Sequence, residues 1–132
     1  MKIRYLIILL AIITSPLIEA QGLLEDKNTF TRQDTLRGTI TPERAWWDVT
    51  YYHLDIKVDP DNKYISGKNI VQYEVLKPHN ILQIDLQSPL QITKVTQSGK
   101  DLKVKSDGNA HFITLTKKQI VGDVNSLEVH YK

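Results

Sequence analysis

A two-residue alternation of apolar and polar side chains constrains the fold of this chain more than any other feature. Every second residue of the segment Tyr52–Val58 is apolar, and the residues between them are polar. This period places successive side chains on opposite faces of a β-strand with one wet face. A second run of the same kind, Ile65–Val75, follows the turn-forming segment Asp59–Asn62. The two runs predict a β-hairpin.

The rest of the chain repeats this pattern in shorter runs. Turn-forming residues separate the runs, and a change of register predicts a bulge near Thr93 and Lys94. About seven short strands predict an all-β fold, an antiparallel β-sandwich or saddle-shaped pair of sheets. We expect the last strand, Leu127–Tyr131, to present an unpaired edge. The shorter runs are Leu82–Leu86, Leu90–Val95, Leu102–Val104, Phe112–Thr116 and Leu127–Tyr131.

The amino-terminal residues have the pattern of a cleavable signal peptide, assigned to residues 1–20. Lys2 and Arg4 precede the apolar run Tyr5–Ile13, and Ala20 is a small residue at the expected cleavage position. The run is too short for a membrane span, which needs about 20 apolar residues. The pattern predicts an exported protein, periplasmic or extracellular, without a stable membrane anchor. The sequence has no Asn-x-Ser/Thr glycosylation acceptor, which favours a bacterial protein.

Two further segments follow the predicted signal peptide. Residues 21–40 are polar and aperiodic, which predicts a flexible arm. Residues 41–132 form the predicted β-sandwich domain, which we expect to be incomplete at its C-terminal end. The sequence has no cysteine, so no disulfide framework is available and burial of the core must hold the domain together.

The charge balance argues against a nucleic-acid partner. The chain has 17 Lys and Arg residues against 15 Asp and Glu, a net charge of +2, and its basic residues are spread through the sequence. A protein that binds nucleic acid through its phosphates needs a concentrated basic face. The sequence therefore predicts no nucleic acid among its partners.

No motif in the chain predicts a catalytic or metal-binding residue. The sequence contains no His-Glu-x-x-His helix and no Cys/His cluster. The segment Asp59–Asn62 lacks the glycine and the distal glutamate of a calcium loop, so it is interpreted as a turn. The histidines fall on different predicted elements, at His53, His79, His111 and His130.

An aromatic cluster at the start of the first strand is the strongest candidate for a contact surface. Adjacent tryptophans on one strand point to opposite faces, so one of Trp46 and Trp47 is expected to face outward. Together with Tyr51, they form a candidate inter-domain or ligand contact. Three interpretations stay open: a contact with another domain, the edge of the core, or a platform for a ligand.

Three segments of the chain resemble one known family. They are Thr41–Ile56, Ile65–Asn69 and Leu82–Gln87. In this order and spacing they resemble the amino-terminal β domain of exported bacterial M1-family zinc aminopeptidases. The resemblance extends over roughly residues 37–131, nearly all of the predicted folded part.

The resemblance implies a scaffold role next to a catalytic domain. In that family a saddle-like β-sandwich packs on a thermolysin-like domain, which removes amino-terminal residues from peptides with a zinc ion. That catalytic domain carries His-Glu-x-x-His and Gly-x-Met-Glu-Asn motifs, neither of which occurs in this sequence. The resemblance therefore implies no cofactor in this chain, zinc in the absent catalytic domain, and no activity of the chain alone.

The implied partner is that catalytic metallopeptidase domain, in the same polypeptide or separately encoded. Peptide substrates are expected only through it. One alternative is a stand-alone exported β-sandwich that binds a peptide, a glycan or a partner protein. Another is a purely structural envelope protein.

Overall fold

A computed structural model describes residues 29–132, which contain one helix and eight strands. The predicted signal peptide and residues 21–28 of the predicted arm lie outside the described residues. The elements are α1 (Arg32–Gly38), β1 (Trp47–Asp59), β2 (Tyr64–Val75), β3 (Ile81–Asp85), β4 (Ile92–Gln97), β5 (Lys100–Asp101), β6 (Lys103–Asp107), β7 (Ala110–Thr114) and β8 (Val124–Tyr131).

The strands form two antiparallel sheets, which confirms the predicted all-β sandwich. The larger sheet has the order β1-β2-β8-β4-β5, and the smaller sheet has the order β3-β7-β6. The predicted hairpin is β1–β2, with Trp47 opposite Val75 and Asp59 opposite Tyr64. The register also shifts between Ile92 and Lys94 where β4 pairs with β8, as the sequence predicts.

The last strand is not an unpaired edge, and that expectation is wrong. β8 lies between β2 and β4 and pairs with both of them. The chain returns to the centre of the larger sheet, so both rows of backbone groups of β8 face a neighbouring strand. In the described part of the chain the long edge of this sheet is β1.

Tyr73 of β2 lies at the centre of the core between two tryptophans. Its fully buried ring meets Trp46 edge-on at 5.9 Å and Trp47 at 5.7 Å between centroids. Its hydroxyl donates to Gln119 Oε1 and accepts from Gln97 Nε2, both at 3.0 Å. The aromatic packing and the two hydrogen bonds fix the ring in one position.

Both sheets contribute side chains to a single hydrophobic core. Its buried members are Trp46, Val71, Tyr73, Val75, Leu82, Val95, Leu102, Ile113, Leu115, Leu127 and Val129.

The arm predicted over residues 21–40 contains helix α1 in its described part. Thr31 caps this helix: its Oγ1 accepts from the backbone N–H of Asp34 at 3.2 Å, and the Asp34 carboxylate accepts from the Thr31 N–H at 3.0 Å. The Thr31 hydroxyl also donates to Asp34 Oδ2 at 2.7 Å, and this bond, followed by that from the Thr31 backbone N–H, holds the pKa of the Asp34 carboxyl below its usual value. Such reciprocal capping offsets the weak helix-forming tendency of a seven-residue segment.

Side-chain hydrogen bonds attach α1 to the smaller sheet. Gln33 donates to the backbone oxygen of Asp107 at 3.2 Å and to its Oδ1 at 3.0 Å. Gln83 of β3 donates to the carbonyl of Leu36, the buried residue of the helix, at 3.3 Å. The helix is therefore part of the folded domain and covers the β6–β7 turn.

Replacing Gly108 tests how α1 is attached. Gly108 has a φ of +58°, and a Cβ added there would lie 2.1 Å from Gln33 Oε1, whereas Gly99, at +74°, has no atom within 4 Å. Gly108→Ala and Gly99→Ala both introduce left-handed strain of about 1–2 kcal/mol. We expect only Gly108→Ala to displace Gln33 and speed amide hydrogen exchange over residues 32–38. Equal protection of the helix in both variants contradicts this prediction.

The burial of the Tyr73 hydroxyl leads to a prediction of how the free energy of unfolding changes at high pH. Burial raises the pKa of its hydroxyl above the ordinary value. An unfolded tyrosine loses its proton near pH 10 while the folded one keeps it, so the free energy of unfolding falls as the pH rises above about 10. Below that pH the contribution is fully present.

The variant Tyr73→Phe separates this effect from other titrations. It removes one hydrogen bond from each of Gln97 and Gln119, which keep their bonds to the Ser126 carbonyl and to Asn125. The loss of two hydrogen bonds should lower the free energy of unfolding by about 1–3 kcal/mol at neutral pH. It should also lose stability less steeply between pH 9 and pH 11 than the parent, as measured by urea unfolding. Parallel pH profiles would show that Tyr73 contributes nothing to the slope.

Candidate functional site

The smaller sheet covers only one end of the apolar face of the larger sheet. β1 has 13 residues, whereas β3, β6 and β7 have five each. At about 3.3 Å per residue these lengths are about 43 Å and 17 Å. At the covered end Val71, Tyr73 and Val75 are buried, but the alternate side chains of Tyr52–Val58 remain 49–60% exposed.

The uncovered end forms a groove of about 730 Å³, called the apolar groove below. Its floor is the face of β1, β2 and β8, and the segment that follows β3 forms one wall. Most of its lining is aliphatic or aromatic, the usual composition of a contact surface that excludes water. The lining residues are Trp47, Tyr52, Leu54, Ile56, Val58, Ile65, Asn69, Val71, Ile84, Asp85, Leu86, Leu90, Val129 and Tyr131.

Two polar groups of the apolar groove differ in how they are satisfied. The carboxylate of Asp85 pairs with Arg44, whose guanidinium also donates to the carbonyls of Arg37 and Thr39 at 3.1 Å. The Oδ1 atom of Asn69 is buried and accepts no hydrogen bond. The groove therefore offers an almost wholly apolar surface, because its one carboxylate is paired and the Asn69 oxygen is enclosed.

The structure separates the three predicted contact residues. Trp46 lies in the core, 2% exposed, and its indole N–H donates to the carbonyl of Ile81 at 2.7 Å. Trp47 is half-buried and lines the apolar groove. Tyr51 follows a bulge in β1 and lies on the opposite face of the strand, 54% exposed. Of the three, Trp47 alone belongs to the groove.

The two tryptophans do not alternate across one strand, because only Trp47 belongs to β1. Trp46 precedes β1 and belongs to a turn, in which the N–H groups of Arg44 and Ala45 bond to the carbonyl of Thr41 at 3.0 Å. The alternation rule begins one residue later, so both rings reach Tyr73 from different directions.

The sequence interpretation missed the exposed apolar side chains of the groove. Leu54, Ile56 and Val58 have the alternation of a buried face, and nothing in that pattern states which partner covers them. The signal that was available is length: the alternating run Ile65–Val75 has 11 residues, more than the five-residue run Leu82–Leu86 can cover.

The zinc ion that the resemblance implies for a whole aminopeptidase does not fit the described residues. Across residues 29–132 no group of three or more His, Cys, Asp or Glu side chains is arranged to hold a metal ion. The same residues include no helix long and apolar enough to cross a membrane.

Comparison with protein-family models and with curated proteins found no significant match. Solved structures do match. A two-domain M1 zinc metallopeptidase variant bound to L-arginine is 20% identical with a TM-score of 0.57, over 67% of this chain and 20% of its own. A variant of the M1 zinc metallopeptidase of Deinococcus radiodurans, bound to a Tyr-Ser-Ala substrate, is 18% identical with a TM-score of 0.59. The match covers 67% of this chain and 21% of the metallopeptidase chain.

A third structure agrees with these two. It is a two-domain M1 zinc metallopeptidase variant bound to L-tryptophan, 19% identical with a TM-score of 0.58, over 66% of this chain and 20% of its own. The chain thus spans about a fifth of the length of the proteins that it matches. At this level of identity the likeness concerns the fold: the described residues have the β-sandwich fold of one part of M1 zinc metallopeptidases.

Proposed function

We propose that this chain is the non-catalytic amino-terminal scaffold domain of an exported M1-type metallo-aminopeptidase. Its partner is the catalytic domain, in the same polypeptide or encoded separately. The parent activity is zinc-dependent removal of amino-terminal residues from peptides. The observation that carries this proposal is an apolar groove left open on a fold that M1 zinc metallopeptidases share.

The apolar composition of the groove indicates a surface that another domain covers rather than one that stays exposed to solvent. Leu54 and Val58 are 59% and 60% exposed, and Ile65 is 43% exposed. Large apolar side chains grouped on one face mark a surface that another protein layer covers. Burial of such area contributes about 25 cal/mol per Å², so a second domain gains stability by covering it.

The paired charges at the wall of the groove support the same proposal. Asp85 is neutralised by Arg44 within the domain, so covering the groove leaves no charge without a partner. The chain then orients and stabilises its partner, and the zinc chemistry belongs to that partner. Peptide substrates reach the chain only through the catalytic domain.

Export belongs to the same proposal. The pattern of residues 1–20, with a basic start, an apolar run and Ala20, supports delivery to the periplasm or the medium. A domain without cysteine functions in such an oxidising compartment without a thiol to protect.

A second candidate function is a stand-alone binding module for a peptide, a glycan or a partner protein. The size of the apolar groove favours it, because about 730 Å³ is within the usual range for a ligand site. A ligand with a largely apolar body would match the lining of this groove.

Binding of an M1-type catalytic domain from the same organism tests the first proposal. That domain, expressed without its own β domain, is titrated with the full chain by calorimetry. We expect Leu54→Lys to weaken the complex at least tenfold, because a lysine in the groove would be buried without a partner. Tyr51→Lys is the matched control, since Tyr51 is similarly exposed on the opposite face of β1, and it should bind as the parent does.

The purified chain alone should not hydrolyse aminoacyl reporters. Hydrolysis that persists after contaminating peptidases are removed and that a chelator abolishes contradicts the proposal. Equal weakening by Leu54→Lys and Tyr51→Lys would exclude the groove as the contact. Binding of a peptide or glycan by the parent, lost in Leu54→Lys without any binding of the catalytic domain, would favour the second candidate.

A further inference from the structure

The outer edge of β1 is a second unpartnered surface, distinct from the apolar groove. β1 is the terminal strand of the larger sheet, and no described strand pairs with its outer side. A 13-residue edge leaves a long row of backbone N–H and C=O groups available to another strand. Soluble proteins ordinarily protect such an edge, so its side chains indicate what it accepts.

The edge strand is complementary to itself in one antiparallel register. When two copies of His53–Asp59 are aligned antiparallel with Ile56 opposite Ile56, every position meets a suitable partner. Charged positions meet opposite charges or histidine, and apolar positions meet apolar ones, which are the favourable cross-strand pairs. The pairs are His53 with Asp59, Leu54 with Val58, Asp55 with Lys57, and Ile56 with itself.

This register also continues the charge pattern already present on the polar face of the sheet. Asp55 lies opposite Lys68 of β2, and Lys68 lies 3.6 Å from Glu128 of β8. In the proposed pairing Lys57 of a second copy comes next to Asp55 on its other side. Positive and negative side chains then alternate from one strand to the next across the junction.

Features of the chain limit the pairing to these seven residues. Pro60 has no backbone N–H, and it would lie opposite Tyr52, so the ladder ends there. On the other side of Tyr52, β1 has its bulge between Val49 and Tyr51, where the strand changes direction.

We propose that two copies of this chain associate through their β1 edges about a twofold axis at Ile56. Such an interface is isologous, because the same residues serve both partners. It joins the two larger sheets into one continuous sheet. Residues opposite each other share a face, so the two apolar grooves lie side by side on the same surface of the joined sheet.

A single introduced cysteine tests the register directly. The chain has no cysteine of its own, so any disulfide must join two copies. Residues opposite each other in an antiparallel pair have Cα atoms about 4.5–5.5 Å apart, within the range for a disulfide. We expect Ile56→Cys in the full chain to form a covalent dimer under mild oxidation, quantified by non-reducing electrophoresis.

Leu54→Cys is the matched control. Leu54 lies on the same strand face as Ile56, two residues away. In the proposed register it faces Val58 of the second copy, and Leu54 of that copy lies about 13 Å further along the strand. We expect at least tenfold less covalent dimer from Leu54→Cys at the same protein concentration. Equal cross-linking of both variants would show association through the apolar faces without this register and would overturn the proposal.

Charge reversal gives an independent test of the same contacts. Lys57→Asp places two carboxylates opposite each other at both symmetric positions and should raise the dimer dissociation constant about tenfold in sedimentation velocity. Adding Asp55→Lys to it restores opposite charges across the junction and should recover part of the affinity, because the new lysine also lies opposite Lys68 of its own copy. Lys118→Asp, the same charge change on an exposed loop residue, should have no effect.

A chain that stays monomeric at every accessible concentration overturns the proposal, as does a double reversal no tighter than Lys57→Asp alone. Urea unfolding of each variant shows that the fold is retained. The charge reversals distinguish this proposal from the scaffold function, because Asp55 and Lys57 lie on the polar face of β1, whereas Leu54→Lys acts in the apolar groove.

Discussion

The unequal length of the two sheets determines the rest of this structure. A β-sandwich excludes water from its inner faces only where its two layers overlap. Here three strands of five residues lie over strands of 12 and 13 residues. Where they overlap, Trp46, Tyr73 and Ile113 pack into one core. Where they do not, the same alternating pattern produces an exposed apolar surface. Core and groove are therefore two parts of one continuous sheet face, divided by the end of the smaller sheet.

Buried amide side chains make hydrogen bonds within the covered part. Gln83 is 2% exposed, accepts from Thr41 Oγ1 at 2.7 Å and donates to Asp85 at 2.9 Å. Gln97 and Gln119 bond to the hydroxyl of Tyr73. Hydrogen bonds require closer alignment than aliphatic contacts do, so the bonds that these amides make restrict how the two layers can be arranged.

Local sequence patterns predicted the strands well, but they did not predict which distant strands pair or pack together. Alternation and turn chemistry gave the β1–β2 hairpin and the bulge in β4, because both depend on residues close in sequence. The central place of β8 and the exposure of Leu54 depend on which distant strands pair and how long they are, and periodicity carries no such information. Helix α1 was missed because seven residues give too few turns to show a period; its signal was the capping pair Thr31 and Asp34.

The contrasting settings of Trp46 and Trp47 have an optical consequence, because the chain contains no other tryptophan. One indole is enclosed in the core and stacks on His79 at 5.8 Å, while the other has an edge on the groove. The fluorescence of Trp46 should therefore respond to unfolding, and that of Trp47 should also respond to a molecule that occupies the groove. The molecule thus carries its own pair of spectroscopic reporters, one for folding and one for assembly, at adjacent positions in the chain.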